Sequence, residues 1–334
     1  MELKRREQVE KRCDAFRMAQ LSEIWIPNTE LLKGRWNPKG RELPQFNAGQ
    51  FSEMVRGKSI VFVGDPIGWN RMQPLLCPLG GVEYPIDVSL TPDEQYMRWR
   101  YVTYNFTLAN IWTPHLVKSE ETDPNGPTKT GLFSLHLDEA DDRWLSEAEE
   151  FDYLIVSAGH WFYRPLVFHE GGKIVGCHFC LLENVPDLTK FYGYRKAFRT
   201  AFKAINGLKN YKGITYLRTF APSHFEGGIW NQGGNCVRTR PFRSNETALA
   251  DENLELYMIQ VEEFRKAELE ARERGLNWYG HWPHENVTLY NDCVHWCLPG
   301  PIDTWSDFLL EMLKTEGRRS REEKLRFSDR KLKA

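Results

Sequence analysis

The stretch Ser59-Ile60-Val61-Phe62-Val63-Gly64-Asp65 is a continuous apolar run that ends in a glycine and an aspartate. A run of this kind is typical of a strand that is buried on both faces of a parallel sheet. The glycine and aspartate break the strand pattern. We therefore expect a central strand that leads directly into a functional loop.

Strand and helix patterns alternate along much of the chain. This alternation predicts an α/β fold, a three-layer sandwich with a mostly parallel central sheet. An acidic, turn-rich stretch at 117–150 is expected to be an excursion that contains a short hairpin. The other predicted strands are 101–109, 153–157 and 215–220, and the predicted helices are 68–79, 189–206, 252–274 and 303–314.

Three of the predicted strands run straight into polar segments that contain glycine. These segments are 64–66, 157–161 and 222–228. In an open parallel sheet, the ligand site lies beyond the carboxyl ends of the strands. We therefore expect the three segments to meet in one crevice.

The composition excludes one class of partner and permits another. The 334 residues carry 44 basic and 46 acidic side chains, a formal net charge of −2, so no basic excess recruits nucleic acid. The 12 Trp, 13 Tyr and 19 Phe suit a surface that faces sugar rings. Core packing is nevertheless the more common use of any single aromatic side chain.

Three N-glycosylation sequons, at Asn105, Asn245 and Asn286, are consistent with a lumenal protein. The first thirty residues contain no apolar run long enough for a signal peptide or a membrane span. We therefore expect no membrane span in this chain.

Cys177 and Cys180 flank a two-residue stretch that permits three interpretations. A structural zinc site needs four ligands, and no second Cys/His pair stands at zinc-finger spacing. A disulfide or two ordinary thiols therefore explain these cysteines better, and no metal is expected.

The segment 290–305 carries the pattern Asp-x-x-His in a long and specific context. It reads Tyr-Asn-Asp-Cys-Val-His-Trp-Cys-Leu-Pro-Gly-Pro-Ile-Asp-Thr-Trp. With 225–236, 159–162 and the Trp36 to Phe46 segment, it resembles the plant trichome birefringence-like family over about 34–314.

The resemblance implies a PC-esterase type of SGNH-hydrolase-like fold. It also implies a Golgi-lumenal protein that transfers acetyl groups onto a hemicellulose or pectin polysaccharide, such as xylan or xyloglucan. An acetyl donor would be the co-substrate, with no bound cofactor. The implied organisation is an irregular lead-in at 1–50, remnant of the family's N-terminal segment, the SGNH-like domain at 51–314 and a charged tail at 315–334.

In that family, a Gly-Asp-Ser loop supplies a nucleophilic serine, and the Asp-x-x-His residues complete a triad. The resemblance assigns the Asp and His to Asp292 and His295, since an imidazole must take the serine proton and a carboxylate must orient the imidazole. Here Pro66 occupies the nucleophile position, and Trp69 stands where the family has arginine. Proline lacks both the hydroxyl and the backbone N–H that commonly helps to bind an oxyanion.

The same resemblance assigns further residues to the oxyanion-binding part of the pocket and its walls. These residues are Gly64, Asp65, Asn70, His160 and Trp161.

The family pattern also carries expectations about cysteines. It ties Cys236 to Cys293 or Cys297, with Cys293 preferred. The family's N-terminal cysteines are absent, so Cys77 and one cysteine of the 293/297 pair are expected to lack their usual partners.

A shortened junction follows the long helix predicted at 252–274. Residues 274–277 lead almost directly to Tyr279-Gly280-His281, where the family has a strand and an Arg-Pro-Asp-Gly-His-like segment. The sheet is therefore expected to be one strand short.

Three interpretations of function stay open at this point. The first is an O-acetyltransferase acting on xyloglucan or xylan. The second is a catalytically inactive pseudoenzyme that binds polysaccharide. The third is a product of a misjoined exon that is not stably made.

Overall fold

The structure is a computed structural model that describes residues 45–65, 72, 75–90, 95–122, 131–223, 225–228, 232–235, 246, 251–273, 277–280 and 305–317. The labelled helices are α1 (Ala48–Met54), α2 (Asp142–Ala148), α3 (Thr189–Gly207), α4 (Asp251–Glu273) and α5 (305–317). Residues 72 and 75–80 are also helical, and His160–Tyr163 form a 3-10 helix. The strands are β1 (Ser59–Gly64), β2 (Ile86–Asp87), β3 (Tyr96–Tyr101), β4 (Phe106–Trp112), β5 (Val117–Glu121), β6 (Phe133–Ala140), β7 (Tyr153–Ser157), β8 (Leu166–Glu170), β9 (Lys173–His178), β10 (Ile214–Leu217) and β11 (Asn277–Gly280).

The main sheet has the strand order β11-β10-β7-β1-β4-β3-β2. Pairing is parallel from β11 to β4 and antiparallel from β4 to β2. The apolar run at 59–63 is therefore the middle strand, β1, with parallel neighbours on both sides. This position explains why the run is apolar at every residue, since both faces of β1 are covered.

Successive side chains of β1 point into two different cores. Val61 and Val63 pack in a core that includes side chains of α3 and α4. Ile60 and Phe62 pack on the other face, in a core that includes side chains of α1 and α5. Helices therefore cover both faces of the sheet, and the predicted α/β sandwich is confirmed.

A second sheet has the order β5-β6-β8-β9. The hairpin expected in the acidic stretch is present as β5 and β6, but β6 also pairs in parallel with β8. Leu135 and Leu137 alternate inward along β6 and are fully buried in the core beside α3. Gly171 and Gly172, with φ of +57° and +72°, form the tight turn between β8 and β9.

Two predictions about strands are wrong. Residues 101–109 are not one strand, because β3 ends at Tyr101 and a turn with Asn105 at φ +51° precedes β4. The sheet also retains a strand after the long helix, since β11 pairs in parallel with β10. The shortened junction at 274–277 therefore still reaches the sheet edge, and the expected loss of a strand is corrected.

A buried carboxylate joins the two long helices. Glu263 of α4 is 2% exposed, and its two carboxylate oxygens accept hydrogen bonds from Nε and Nη2 of Arg199 on α3, both at 2.9 Å. Lys266 Nζ donates to the same carboxylate at 3.1 Å. Burial alone would raise the pKa of Glu263, but the hydrogen bonds from Arg199 and Lys266 hold this pKa below its ordinary value of 4.5.

We predict that Glu263→Gln lowers the free energy of unfolding at neutral pH by roughly 1–3 kcal/mol, since charge-assisted hydrogen bonds are lost. A lowered folded-state pKa gives stability that is present above pH 4.5 and is lost as the pH falls through the folded-state pKa. The difference from wild type should therefore shrink in acid. Urea unfolding at neutral pH and below about pH 4 measures both effects.

The neighbouring Glu262→Gln is the matched control. Glu262 is 45% exposed and pairs with Arg195 on the helix surface, so its replacement should cost less than about 1 kcal/mol. Equal losses for the two variants, or a Glu263→Gln loss that is unchanged in acid, would contradict the role given to Glu263.

Candidate functional site

The carboxyl ends of the parallel strands lie level with one another. Gly64 at the end of β1 is in register with Trp112 of β4 and Ser157 of β7. Leu217 of β10 is in register with Val156 of β7. The segments that follow these strands therefore leave the sheet along one edge, as the sequence predicted.

The chain turns sharply at Gly64, and the turn needs a glycine. Its φ is +151°, and a Cβ added there would lie 1.6 Å from the carbonyl oxygen of Ser157. The Asp65 N–H then donates to that same oxygen at 3.1 Å, and the Gly64 carbonyl accepts from Thr113 N at 2.8 Å. Absence of a side chain at 64 thus lets β1 end in direct contact with the end of β7.

The Asp65 carboxylate lies across this contact and is buried. Its Oδ2 accepts hydrogen bonds from the backbone N–H groups of Gly159 at 2.8 Å and His160 at 3.1 Å. A charged acceptor makes such hydrogen bonds strong, because the surrounding protein screens them weakly. Asp65 therefore holds the segment after β7 against the end of β1.

His160 joins this segment to the one that follows β10. Its Nε2 lies 2.8 Å from the carbonyl oxygen of Ala221, and because a carbonyl only accepts, Nε2 carries the proton of this hydrogen bond. The imidazole also stacks on Phe220, with ring centroids 4.9 Å apart. A Cβ at Gly159 would meet the Phe220 ring at 2.6 Å, so glycine is also required for this close approach.

Two helices fix these segments from within the core. Gln260 of α4 is fully buried, and its Oε1 accepts from the Phe220 N–H while its Nε2 donates to the Ala158 carbonyl at 3.1 Å. The Tyr194 hydroxyl of α3 donates to the same carbonyl at 3.2 Å. Sequence reasoning missed both residues, because a polar residue within a helical pattern gives no sign of where it points.

Trp161 stands in a cluster of rings just after the carboxyl end of β7. It meets Trp112 edge to face, with centroids 5.3 Å apart, and both indoles are partly exposed. The Arg164 guanidinium lies 4.1 Å from the Trp161 centroid. His115 is buried beneath this cluster, and burial lowers its pKa to about 3, so the imidazole is neutral at physiological pH.

Trp112 and His115 were also missed by the sequence analysis. The predicted strand ended at Ala109, although the apolar pattern continues to Ile111 and Trp112. Extending that strand would have placed Trp112 at the carboxyl edge, in the register that the structure shows.

Several predicted site residues lie outside the described residues. The predictions that concern them stay predictions. They are Pro66, Asn70, Cys236, Asn245, Asn286, Asp292, Cys293, His295 and Cys297.

The described cysteines all form disulfides. Cys177 and Cys180 are bonded to each other, so neither thiol is available to a zinc ion in this structure. Cys77 is disulfide-bonded as well. Cys77 is therefore not a free thiol in this structure. The prediction that it lacks its usual family partner stays a prediction.

Asn105 lies exposed in the turn between β3 and β4, at the end of the sheet opposite the crevice. A glycan at this sequon would therefore leave the crevice open. Among the helices that the structure describes, none combines the length and apolar character that a bilayer crossing requires.

Comparisons with known proteins agree with this architecture. Residues 43–312 match the family described as PC-Esterase, a GDSL/SGNH-like Acyl-Esterase family found in Pmr5 and Cas1p. Protein trichome birefringence-like 19 of Arabidopsis thaliana is 53% identical over 311 residues, which cover 87% of this chain and 73% of that protein. Protein trichome birefringence-like 20 of the same plant is 48% identical over 310 residues, 86% of this chain and 64% of that protein. Xyloglucan O-acetyltransferase 4 of Populus trichocarpa is 39% identical over 303 residues, 85% of this chain and 72% of that protein.

We predict that Gly64→Ala destabilises the protein by about 4 kcal/mol or more, because the new methyl group would overlap the Ser157 carbonyl within a fixed strand register. Thermal and urea unfolding measure the loss. Gly207→Ala at the end of α3 is the control, since nothing lies within 4 Å of a Cβ there. A Gly64→Ala protein as stable as the control would refute the close contact between β1 and β7.

Proposed function

Since the chain belongs to the PC-esterase family and to its trichome birefringence-like members, we propose that it binds a xyloglucan-type polysaccharide and has lost the acyl-enzyme route of acetyl transfer. The substrate class is supported by the relatives named xyloglucan O-acetyltransferase, at 39% identity in Populus trichocarpa and 36% in Arabidopsis thaliana.

One observation carries the binding part of the proposal. The hydrogen bonds that connect Asp65 with Gly159 and His160, and His160 with Ala221, hold three strand-end segments together. Every contact in this set is made without residue 66. The crevice walls therefore keep their support although the nucleophile is replaced.

The chemistry of residue 66 carries the second part. A serine in this position would attack an acetyl donor and hold the acetyl group as an ester, which proline cannot do. Loss of the triad serine costs about a million-fold in rate in the serine protease subtilisin. Loss of one oxyanion N–H donor costs about another 10²–10³-fold, so acyl transfer through Pro66 is not a usable route.

The residues that flank the undescribed segment 281–304 support the assignment of Asp292 and His295 to the crevice. Gly280 ends β11 in register with Leu217, at the carboxyl edge of the sheet. Further along the chain, the Trp305 ring at the start of α5 lies 4.4 Å from the Arg218 guanidinium, just beyond β10. A segment that begins and ends at this edge has a short path to the crevice.

A second candidate function is slow direct acetyl transfer without an acyl-enzyme. The retained Asp292-x-x-His295 pattern favours it, because a histidine oriented by a carboxylate can act as a general base on a bound sugar hydroxyl. General-base catalysis contributes about 10²–10⁴-fold, far less than a complete triad. An acetyl donor would then react directly with the polysaccharide.

A Golgi-lumenal location is part of the same proposal. Disulfides at Cys77 and between Cys177 and Cys180 fit an oxidising compartment of the secretory route. The exposed sequon at Asn105 fits it as well.

We predict that the wild-type protein binds a xyloglucan oligosaccharide more tightly than a xylan oligosaccharide and yields no acetylated product with an acetyl donor. Trp161→Ala should weaken this binding by roughly tenfold, since a partly exposed indole beside the crevice offers a face or edge to sugar C–H groups. Titration calorimetry measures binding, and mass spectrometry of the oligosaccharide measures acetylation.

Tyr84→Ala is the matched aromatic control, because Tyr84 is exposed near the opposite end of the sheet. Pro66→Ser, alone or with Trp69→Arg, should restore little transfer. Acetylation by the wild type that His295→Ala abolishes would favour the second candidate function. Robust acetylation that survives His295→Ala would overturn both candidates, and absence of oligosaccharide binding would overturn the first.

A further inference from the structure

The loop that closes between Cys177 and Cys180 lies outside the crevice and has no part in the proposed function. The disulfide spans a sequence separation of 3 and encloses His178 and Phe179. It begins with the last two residues of β9, Cys177 and His178, and precedes α3, with Leu181 and Leu182 immediately after it.

This disulfide is expected to stabilise the fold less than a disulfide that closes a long loop. The stabilisation that a cross-link gives through the unfolded chain grows with the length of the loop it closes, and this loop is very short. The Cys177 backbone is also anchored without the disulfide. Its N–H donates to the Pro186 carbonyl at 2.9 Å, and its carbonyl accepts from Leu188 N at 2.9 Å.

Two apolar residues at the surface have an unfavourable backbone conformation, one inside the loop and one immediately after it. Phe179 has a φ of +49° and is 63% exposed, and Leu181 has a φ of +55° and is 98% exposed. Left-handed backbone is disfavoured for such residues and persists only where the surroundings impose it. The disulfide is one of the constraints that hold Phe179 in this left-handed conformation. Reduction of the disulfide removes that constraint and so relieves the backbone strain at Phe179.

His178 supplies an unused polar group inside the same loop. Its ring is buried, and neither Nδ1 nor Nε2 makes a hydrogen bond with any residue that the structure describes. The Asp187 carboxylate is 3.9 Å from Nδ1, beyond hydrogen-bond distance. Burial and the charge of Lys190 lower the His178 pKa, so the imidazole is neutral and keeps one N–H that lacks an acceptor.

We propose that Cys177 and Cys180 form a reversible thiol–disulfide exchange site for an external dithiol. A thiolate of the dithiol attacks Cys180 Sγ, the S–S bond breaks, and Cys177 leaves as a thiolate that accepts the His178 N–H before taking a proton from solvent. The second thiol of the dithiol then attacks the mixed disulfide. Two electrons and two protons pass to the protein, which becomes the dithiol, and the external dithiol becomes a disulfide.

Attack falls on Cys180 because it is slightly less buried than Cys177, at 8% against 4% exposed, and follows the left-handed Phe179. Cys177 is the leaving group because its backbone is anchored at the end of β9, where His178 follows it in the chain. Thiol–disulfide exchange at this site does not depend on acetyl transfer. A negative result in the exchange test therefore leaves the proposed polysaccharide-binding function unaffected, and the reverse also holds.

The intact chain is equilibrated in buffers that contain graded ratios of reduced to oxidised glutathione. Free thiols are then alkylated with N-ethylmaleimide and identified by peptide mass spectrometry. We expect the Cys177–Cys180 pair to be reduced in one two-electron transition at a ratio roughly tenfold less reducing than the Cys77 disulfide requires. A pair that stays oxidised until Cys77 is also reduced would overturn the proposal.

Two variants separate an exchange site from a structural bridge. His178→Phe keeps a ring and removes the N–H, and should slow reduction by dithiothreitol about threefold, since the leaving thiolate loses its donor. His136→Phe on β6 is the matched control and should reduce at the wild-type rate. Phe179→Asn, which tolerates left-handed backbone, should shift the transition about threefold toward more reducing ratios. Wild-type behaviour of both His178→Phe and Phe179→Asn would remove the roles given to these residues and leave an ordinary bridge.

Discussion

The contact between the Asp65 carboxylate and the backbone N–H groups of Gly159 and His160 is the interaction on which the carboxyl edge of the main sheet depends. It exists because Gly64 has no side chain, so that β1 ends against the carbonyl of Ser157. A longer side chain at 64 would separate the two strand ends, and the carboxylate would no longer reach both donors. The sharp turn and the buried charge are thus two parts of one arrangement.

The helices on one face of the sheet extend this arrangement into the core. Gln260 of α4 holds the segments after β7 and β10 at the same time, through Ala158 and Phe220. The position of Gln260 depends in turn on the packing of α4 against α3, where Glu263 receives hydrogen bonds from Arg199. A chain of specific contacts therefore connects the helix layer with the walls of the crevice.

The groups that hold the strand-end segments in place differ from the side chains to which chemistry is assigned. Hydrogen bonds to backbone groups hold the walls, and these bonds place no demand on the side chain that follows Asp65. Function resides in particular side chains that a fold carries, so a fold can persist after one of them changes. The contacts that join Asp65, His160 and Ala221 are made without the side chain of residue 66, the position to which our proposal assigns the family's nucleophile.

The sequence by itself determined the α/β class, the buried central strand, the meeting of strand-end loops at one edge and the family. Each follows from a local signal, such as the apolar run before Gly64 or the block around Asp292 and His295. Only the tertiary structure decided that Asp65 binds the backbone of Gly159 and that Gln260 points at two loops. It also decided the second sheet and the edge strand β11. These features join residues that are distant in the chain, and hydrogen-bond partners across such distances are set by packing rather than by any local pattern of residues.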